Sequence, residues 1–248
     1  MTTLMAFMLL AMKVAPHDVQ VFLDGIIELE AEGIIVNGFE LQITKEDTSD
    51  TALEAIDSLG NDFKFRGLHP PFPTAADTNF LYWDEVAKEA GLDYTVLHAA
   101  SEKFNDAKKA ITWALENASS TPLLENLPLR EGRTVIGSLI ETSKLSDNLL
   151  MDIPHTLFNF YEKMVEESPL KQIEVVFDKL KAVHVADNDN GFGFVPLGGG
   201  SQDFQDIMRQ LYQKKDIKFI AEPSEGHRNY GAGHKATIRE IWKLWESF

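Results

Sequence analysis

Along this 248-residue chain, one short apolar run after another closes on a carboxylate or an imidazole. "GLHPPF" carries His69, "TVLHAAS" His98, "LLENLP" Glu125, "LLMDIPH" Asp152 and His155, "AVHVAD" His184 and Asp187, and "FIAEPSEGH" Glu222. A buried carboxylate is costly unless something neutralises it. If these run ends converge, several carboxylates share one small volume, and their mutual repulsion demands a cation. A divalent metal on mixed nitrogen and oxygen ligands meets that demand. The chain has no cysteine, so thiolate sites are excluded and any metal must sit on His, Asp and Glu. Taken singly, each residue has a plainer reading: a hydrogen-bonded structural His, or an acidic helix cap. Five of the 7 histidines fall at or just past these run ends, which independent structural accidents explain poorly.

The elements that must position these residues follow from periodicity. Strands are expected at Leu4–Leu9, Phe39–Ile43, Phe63–Leu68, Tyr94–Leu97, Leu123–Leu124, Leu149–Met151, Val183–Val185 and Phe219–Ala221. Between them lie amphipathic helical stripes. Val19, Phe22, Leu23 and Ile26 share one face, Leu53, Ile56 and Leu59 a second, and Trp83, Val86, Ala87 and Ala90 a third. Gly33, Gly60 and Gly91 follow them as stops. Continuous apolar strands joined by helices imply a parallel sheet. Consecutive run ends lie roughly 27 to 38 residues apart, room for one strand–helix unit each. Eight such units predict a single-domain (β/α)8 barrel over residues 1–248, with a doubly wound open sheet as the alternative. All C-terminal strand ends of a barrel face one opening, which is where the run-end residues would meet.

Charge narrows the partners. Net charge is −16, which repels phosphate backbones and anionic lipids and so opposes a nucleic-acid partner. The opening "MTTLMAFMLLAMK" has its first basic residue, Lys13, after the apolar run, whereas a signal peptide carries its charge in front. The run is also too short to span a membrane. The expectation is a first strand and a cytoplasmic protein without a membrane partner. Trp242, Trp245 and Phe248 could pack on the barrel or on a second subunit of a homo-oligomer.

In this order and spacing, "HPPFP", "LEN", "MDIPH", "VHVAD", "PLGGGSQDF" and "AEP" resemble the xylose-isomerase-like TIM barrels. That superfamily includes endonuclease IV, sugar 3-epimerases, hydroxypyruvate isomerase and inosose dehydratase. The likeness covers nearly the whole chain and rests on the joint order of short motifs. It implies one metal on Glu125, Asp152, His184 and Glu222, with His155 beside it contacting substrate. The endonuclease branch implies a further metal on His69, His98 and Glu125. Its third zinc would need His155 with an Asp and a His where Phe192 and Phe194 stand, and phenylalanine cannot bind zinc. The epimerase branch tends to place an Arg shortly after the His184 position, and "HVADNDNGFG" has none. The implied cofactor is one divalent ion, Mn2+, Mg2+, Zn2+ or Co2+, or two, with no organic cofactor.

The chemistry expected first is metal-dependent isomerisation or epimerisation of a small sugar, sugar phosphate or related hydroxy-ketone. The metal would polarise a carbonyl, and Glu125 or Glu222 would remove the adjacent carbon-bound proton and return it. His155 would stabilise the enediolate oxygen, and Phe192 and Phe194 would form an apolar lid. Gly198, Gly199 and Gly200 open a helix whose N–H groups suit a phosphate, with Arg228 and His227 adding positive charge nearby. A dehydratase could use the same site. The competing classes are an endonuclease IV-like phosphodiesterase acting on abasic DNA, favoured by His69 and His98, and a barrel that binds metal or sugar without catalysis.

Overall fold

Period-two alternation decides which residues reach the interior. A computed structural model describes residues 8–71, 79–101, 106–129, 134–188, 194–195, 205–223 and 228–248. Eight parallel strands form within it: β1 Leu9–Val14, β2 Gly38–Gln42, β3 Phe65–His69, β4 Tyr94–His98, β5 Pro122–Glu125, β6 Leu149–Asp152, β7 Leu180–Val185 and β8 Lys218–Ala221. They close into a ring in the order β1-β8-β7-β6-β5-β4-β3-β2, so the sheet is a barrel and not an open, doubly wound one. Helices fill the connections: α1 Val19–Ala31, α2 Ser49–Leu59, α3 Phe80–Glu89, α4 Ala107–Asn117, α5 Leu139–Thr142, α6 Ile153–Tyr161, α7 Pro169–Val176, α8 Gln205–Leu211 and α9 Arg228–Ser247. The fold is the (β/α)8 barrel expected from the sequence.

One strand is displaced from its expected position. The sequence suggests Leu4–Leu9, yet β1 runs Leu9–Val14, and residues 1–7 lie outside the described residues. Alternation is the reason. Leu10, Met12 and Val14 join the apolar layer beneath the helices, while Leu9 and Ala11 join the barrel interior. Lys13, which looks like the end of the apolar run, is therefore the third inward residue of the strand.

Two apolar layers separate the polar end of the barrel from its floor and from its helices. The interior is packed by Ala11, Phe65, Tyr94, Val96, Leu123, Leu150, Ala182 and Ile220. The outward residues of the same strands, such as Phe39, Leu41, Leu68, Leu97, Met151 and Val183, pack beneath the helices with Phe22, Ile26, Leu29 and Ile56. Space in the interior is tight. A Cβ on Gly67 would fall within the Tyr94 ring, so only glycine lets that ring cross the barrel. Helix ends are set locally. Thr48 and Thr51 form a capping box at the start of α2, and Gly60 ends it at φ 77°.

Two short antiparallel ribbons extend the C-terminal face, Ala100–Ser101 with Thr134–Val135 and Asp187–Asn188 with Phe194–Val195. The last helix, α9, leans on α1, with Lys235 paired to Glu28 and Arg239 to Glu32. Trp242 and Trp245 pack on the apolar layer, while Phe248 is exposed beside the Arg209 guanidinium. Among the described residues, no helix is long and apolar enough to cross a membrane.

Candidate metal centre

Inward-facing polar residues at or just past the C-terminal strand ends gather at one end of the barrel. In register, Lys13 on β1 faces Glu40 on β2, His98 on β4 faces Glu125 on β5, and Asp152 on β6 faces His184 on β7. His69 ends β3, and Glu222 follows β8. All of these side chains are buried except Glu222, which is 17% exposed. Apolar layers below and around them remove water, so every unpaired charge here is expensive.

Two groups of candidate ligand atoms share Glu125. Glu125, Asp152, His184 and Glu222 each present an atom within 4.8 Å of the others, and so do His69, His98 and Glu125. Glu125 Oε1 lies 3.2 Å from His184 Nδ1, while its Oε2 lies 3.6 Å from His69 Nε2 and 3.4 Å from His98 Nε2. Glu222 Oε2 lies 2.5 Å from His184 Nδ1, and Asp152 Oδ2 lies 3.9 Å from it. The His69 and His98 rings meet edge to face at 4.8 Å.

"MDIPH" owes its residue types to two tasks at once. Asp152 is the N-cap of α6, and its Oδ1 accepts the His155 backbone N–H at 2.6 Å. Its other oxygen remains for the cluster. Pro154 sits in the first turn, where a missing N–H does no harm. His155 Nδ1 donates to the Asn126 carbonyl at 3.0 Å, and Asn126 Oδ1 accepts the Asp152 N–H at 2.9 Å.

Electrostatics make the imbalance explicit. Burial pushes the Asp152 carboxyl well above its ordinary range, reinforced by Glu222 and Glu125. Burial also opposes ionisation of Glu125, but hydrogen bonds and charge from His184 and His69 hold it well below the usual carboxylate range. Glu222 is likewise kept low against burial, by His184 and Lys13. Burial disfavours charge on His184, yet Glu222 and Glu40 outweigh it and raise its pKa well above the ordinary value. A proton on Nδ1 thus stands where a cation would. Burial lowers His155 to about 4, against the pull of Glu125 and Glu222.

The donor set fits a divalent cation. Among the described residues, Glu125 Oε2 is a buried oxygen without a hydrogen bond, an arrangement that is costly for a charged group, and Glu222 Oε2 meets His184 Nδ1 at 2.5 Å. His69 Nδ1 donates to the Pro70 carbonyl at 3.0 Å, which turns Nε2 toward the Glu125 carboxylate at 3.6 Å. Three carboxylates crowded around shared imidazoles are what a cation reconciles, and nitrogen with oxygen donors suits Mn2+, Zn2+ or Co2+.

The structure therefore brings together His69, His98, Glu125, Asp152, His155, His184 and Glu222, all of them singled out in the sequence. Phe194 lies in a short ribbon and Arg228 opens α9. Phe192, His227, Gly198, Gly199 and Gly200 lie outside the described residues. Sequence reasoning missed Lys13, Glu40, Tyr94 and Asn126. Lys13 Nζ pairs with Glu222 Oε1 and lies 3.4 Å from Glu40 Oε1. Glu40 Oε1 also lies 2.9 Å from His184 Nε2, and its Oε2 accepts from the Tyr94 hydroxyl at 3.0 Å. The available signal was a charged residue inside each of two otherwise apolar strands, "LLAMKV" and "GFELQ".

Comparison with known proteins places the architecture. No protein-family model and no curated protein matches the chain. Solved structures do. The crystal structure of AsfvAP:AG superposes with a TM-score of 0.66 at 12% identity, covering 97% of this chain and 100% of that one. AP endonuclease, family 2 from Brucella melitensis gives 0.59 at 13% identity, covering 91% and 96%. N-acetylneuraminate lyase from Mycoplasma synoviae gives 0.57 at 12% identity, covering 97% and 75%. The chain thus shares the (β/α)8 barrel fold with these proteins. These neighbours include a lyase as well as an endonuclease, so the shared fold does not choose a reaction.

Proposed function

We propose that the protein is a divalent-metal-dependent isomerase or epimerase of a small sugar, sugar phosphate or related hydroxy-ketone. The observation that carries this reading is the pair Glu125 and Glu222. They arrive from β5 and β8 at one imidazole nitrogen, His184 Nδ1, with Glu125 Oε1 at 3.2 Å and Glu222 Oε2 at 2.5 Å. Glu125, Asp152, His184 and Glu222 would hold one cation, and His69 and His98 with Glu125 would hold a second. A cation bound there supplies Lewis-acid polarisation of a substrate carbonyl.

The protein residues divide the remaining work. Glu125 and Glu222 both turn a carboxylate oxygen toward His184 Nδ1, so either can accept the carbon-bound proton next to the carbonyl. The same group returns it to the neighbouring carbon in an isomerisation, and the opposite group returns it to the other face in an epimerisation. His155 stands beside the ligand group, as its sequence position suggests. Its Nδ1–H donates to the Asn126 carbonyl, which fixes the ring beside Asp152 at the edge of the cluster, where it would contact substrate. Burial of the whole cluster suits a small substrate that is itself stripped of water.

A second reading, a metal-dependent phosphodiesterase, is favoured by one observation: Glu125 is shared between two candidate ligand groups, as paired-metal hydrolysis requires. The net charge of −16 opposes it for a polyanionic substrate. The deciding experiment incubates Mn2+- or Co2+-loaded protein with a panel of ketoses and ketose phosphates in D2O, and in parallel with an abasic-site oligonucleotide. Deuterium at the carbon beside the carbonyl, lost in Glu222→Gln, supports isomerisation. Strand cleavage lost in Glu125→Ala, with no exchange into any sugar, replaces this reading with the hydrolytic one.

A further inference from the structure

We propose that Lys13 and Glu40 are positioning residues that limit Glu222 and His184 to one ligand atom each, and that the Lys13 ammonium closes a third group, Glu40, His69 and His184, to metal. This inference rests on the metal reading above and concerns residues to which that reading gives no role.

Glu40 stands between His184 and Lys13. Its side chain is fully buried, and each oxygen is engaged: Oε1 by His184 Nε2 at 2.9 Å and by Lys13 Nζ at 3.4 Å, Oε2 by the Tyr94 hydroxyl at 3.0 Å. Glu40, His69 and His184 present atoms close enough to share an ion, but the lone pairs of Glu40 already face three donors. A divalent ion there would sit against the Lys13 ammonium, a like charge in a site without water to screen it. Glu40 therefore acts through His184. Accepting the Nε2 proton fixes the ring's orientation and leaves Nδ1 as the atom turned to Glu125, Asp152 and Glu222. Lys13 does the same for Glu222, engaging Oε1 and leaving Oε2 toward the cluster. Because Lys13 and Glu40 are register partners on β1 and β2, the barrel backbone itself places the pair.

The two residues then have opposite effects on metal affinity, which separates positioning from mere structural support. Co2+ binding is measured by calorimetric titration of the full chain, with bound metal counted by atomic emission. Circular dichroism of each metal-free variant checks the fold. Glu40→Gln is expected to weaken Co2+ by about 10- to 100-fold, the loss typical when a histidine ligand's outer partner is removed. Lys13→Met is expected to tighten Co2+ by roughly tenfold or more, since a cation is removed beside the site. It is also expected to alter the Co2+ visible absorption as Glu222 Oε1 becomes free to coordinate. Lys13→Arg keeps the charge and should stay near the wild-type affinity. Both variants weakening binding, or Glu40→Gln leaving it unchanged, overturns the proposal. Should Lys13→Met not fold, Glu40→Gln together with wild-type-like Lys13→Arg decides it. Wild-type protein that takes up no Co2+ removes the metal reading itself, whereas wild-type uptake with the variants moving together removes only this inference.

Discussion

At the residue scale, the centre is a contest between burial and charge. Four carboxylates, Glu40, Glu125, Asp152 and Glu222, share the polar end of the barrel with one ammonium, Lys13. Asp152 illustrates how one side chain meets two demands, capping α6 with one oxygen and facing His184 with the other. Asp152→Ala should lower stability by about 1 kcal/mol through the lost cap, and should weaken Co2+ as well, read by denaturant unfolding and by metal titration. Asp152→Asn should keep the cap and lose only metal affinity. Glu222→Gln should leave the metal-free fold intact and reduce turnover by about 10²- to 10⁴-fold, as expected for a lost general base. Seven members of the cluster were legible in the sequence because they lie at or near the ends of apolar runs with strand–helix spacing between them. Lys13 and Glu40 were not, because Lys13 reads as the polar end of the opening apolar run and Glu40 sits inside its strand. The physical argument applied to Asp152, that a charge among apolar residues needs a partner, applies to them with equal force, and here each is part of the other's answer.

At the element scale, strand alternation converts sequence into direction. Leu123 and Glu125, Leu150 and Asp152, Ala182 and His184 are two-residue steps along one inward face, apolar below and polar above. The glycine stops and the helical stripes followed from local sequence and are present. The position of β1 did not, because "LMAFMLLAM" offers several equivalent alternations and only the pairing of Ala11 with Gly38 and Ile220 selects among them. Gly67 ties an element to the centre. A methyl group there collides with the Tyr94 ring, whose hydroxyl supports Glu40. Gly67→Ala is expected to cost about 1–3 kcal/mol by overpacking, seen as a lower denaturant midpoint. It should also weaken Co2+ in the same direction as Glu40→Gln.

At the scale of the whole molecule, the charge of −16 acts as self-repulsion that salt relieves. Thermal unfolding of the metal-free protein should therefore move to higher temperature as NaCl rises from low millimolar to about 0.15 M, where the Debye length is about 8 Å. Divalent ions should act far more strongly and at far lower concentration. An ion at 100 times its dissociation constant stabilises the native state by about 2.7 kcal/mol, and a chelator should reverse the shift. Equal effects of NaCl and MnCl2 at matched ionic strength would leave no specific site to explain.

The ion pair between Lys13 and Glu222 joins the first strand to the last, 209 positions apart. During synthesis most of the chain leaves the ribosome before Glu222 exists, and until β8 docks beside β1 the ring has a gap where that pair belongs. Tight uptake of an ion thus reports completion of the final seam, and a circularly permuted chain that brings these two strands together early should acquire it sooner in refolding.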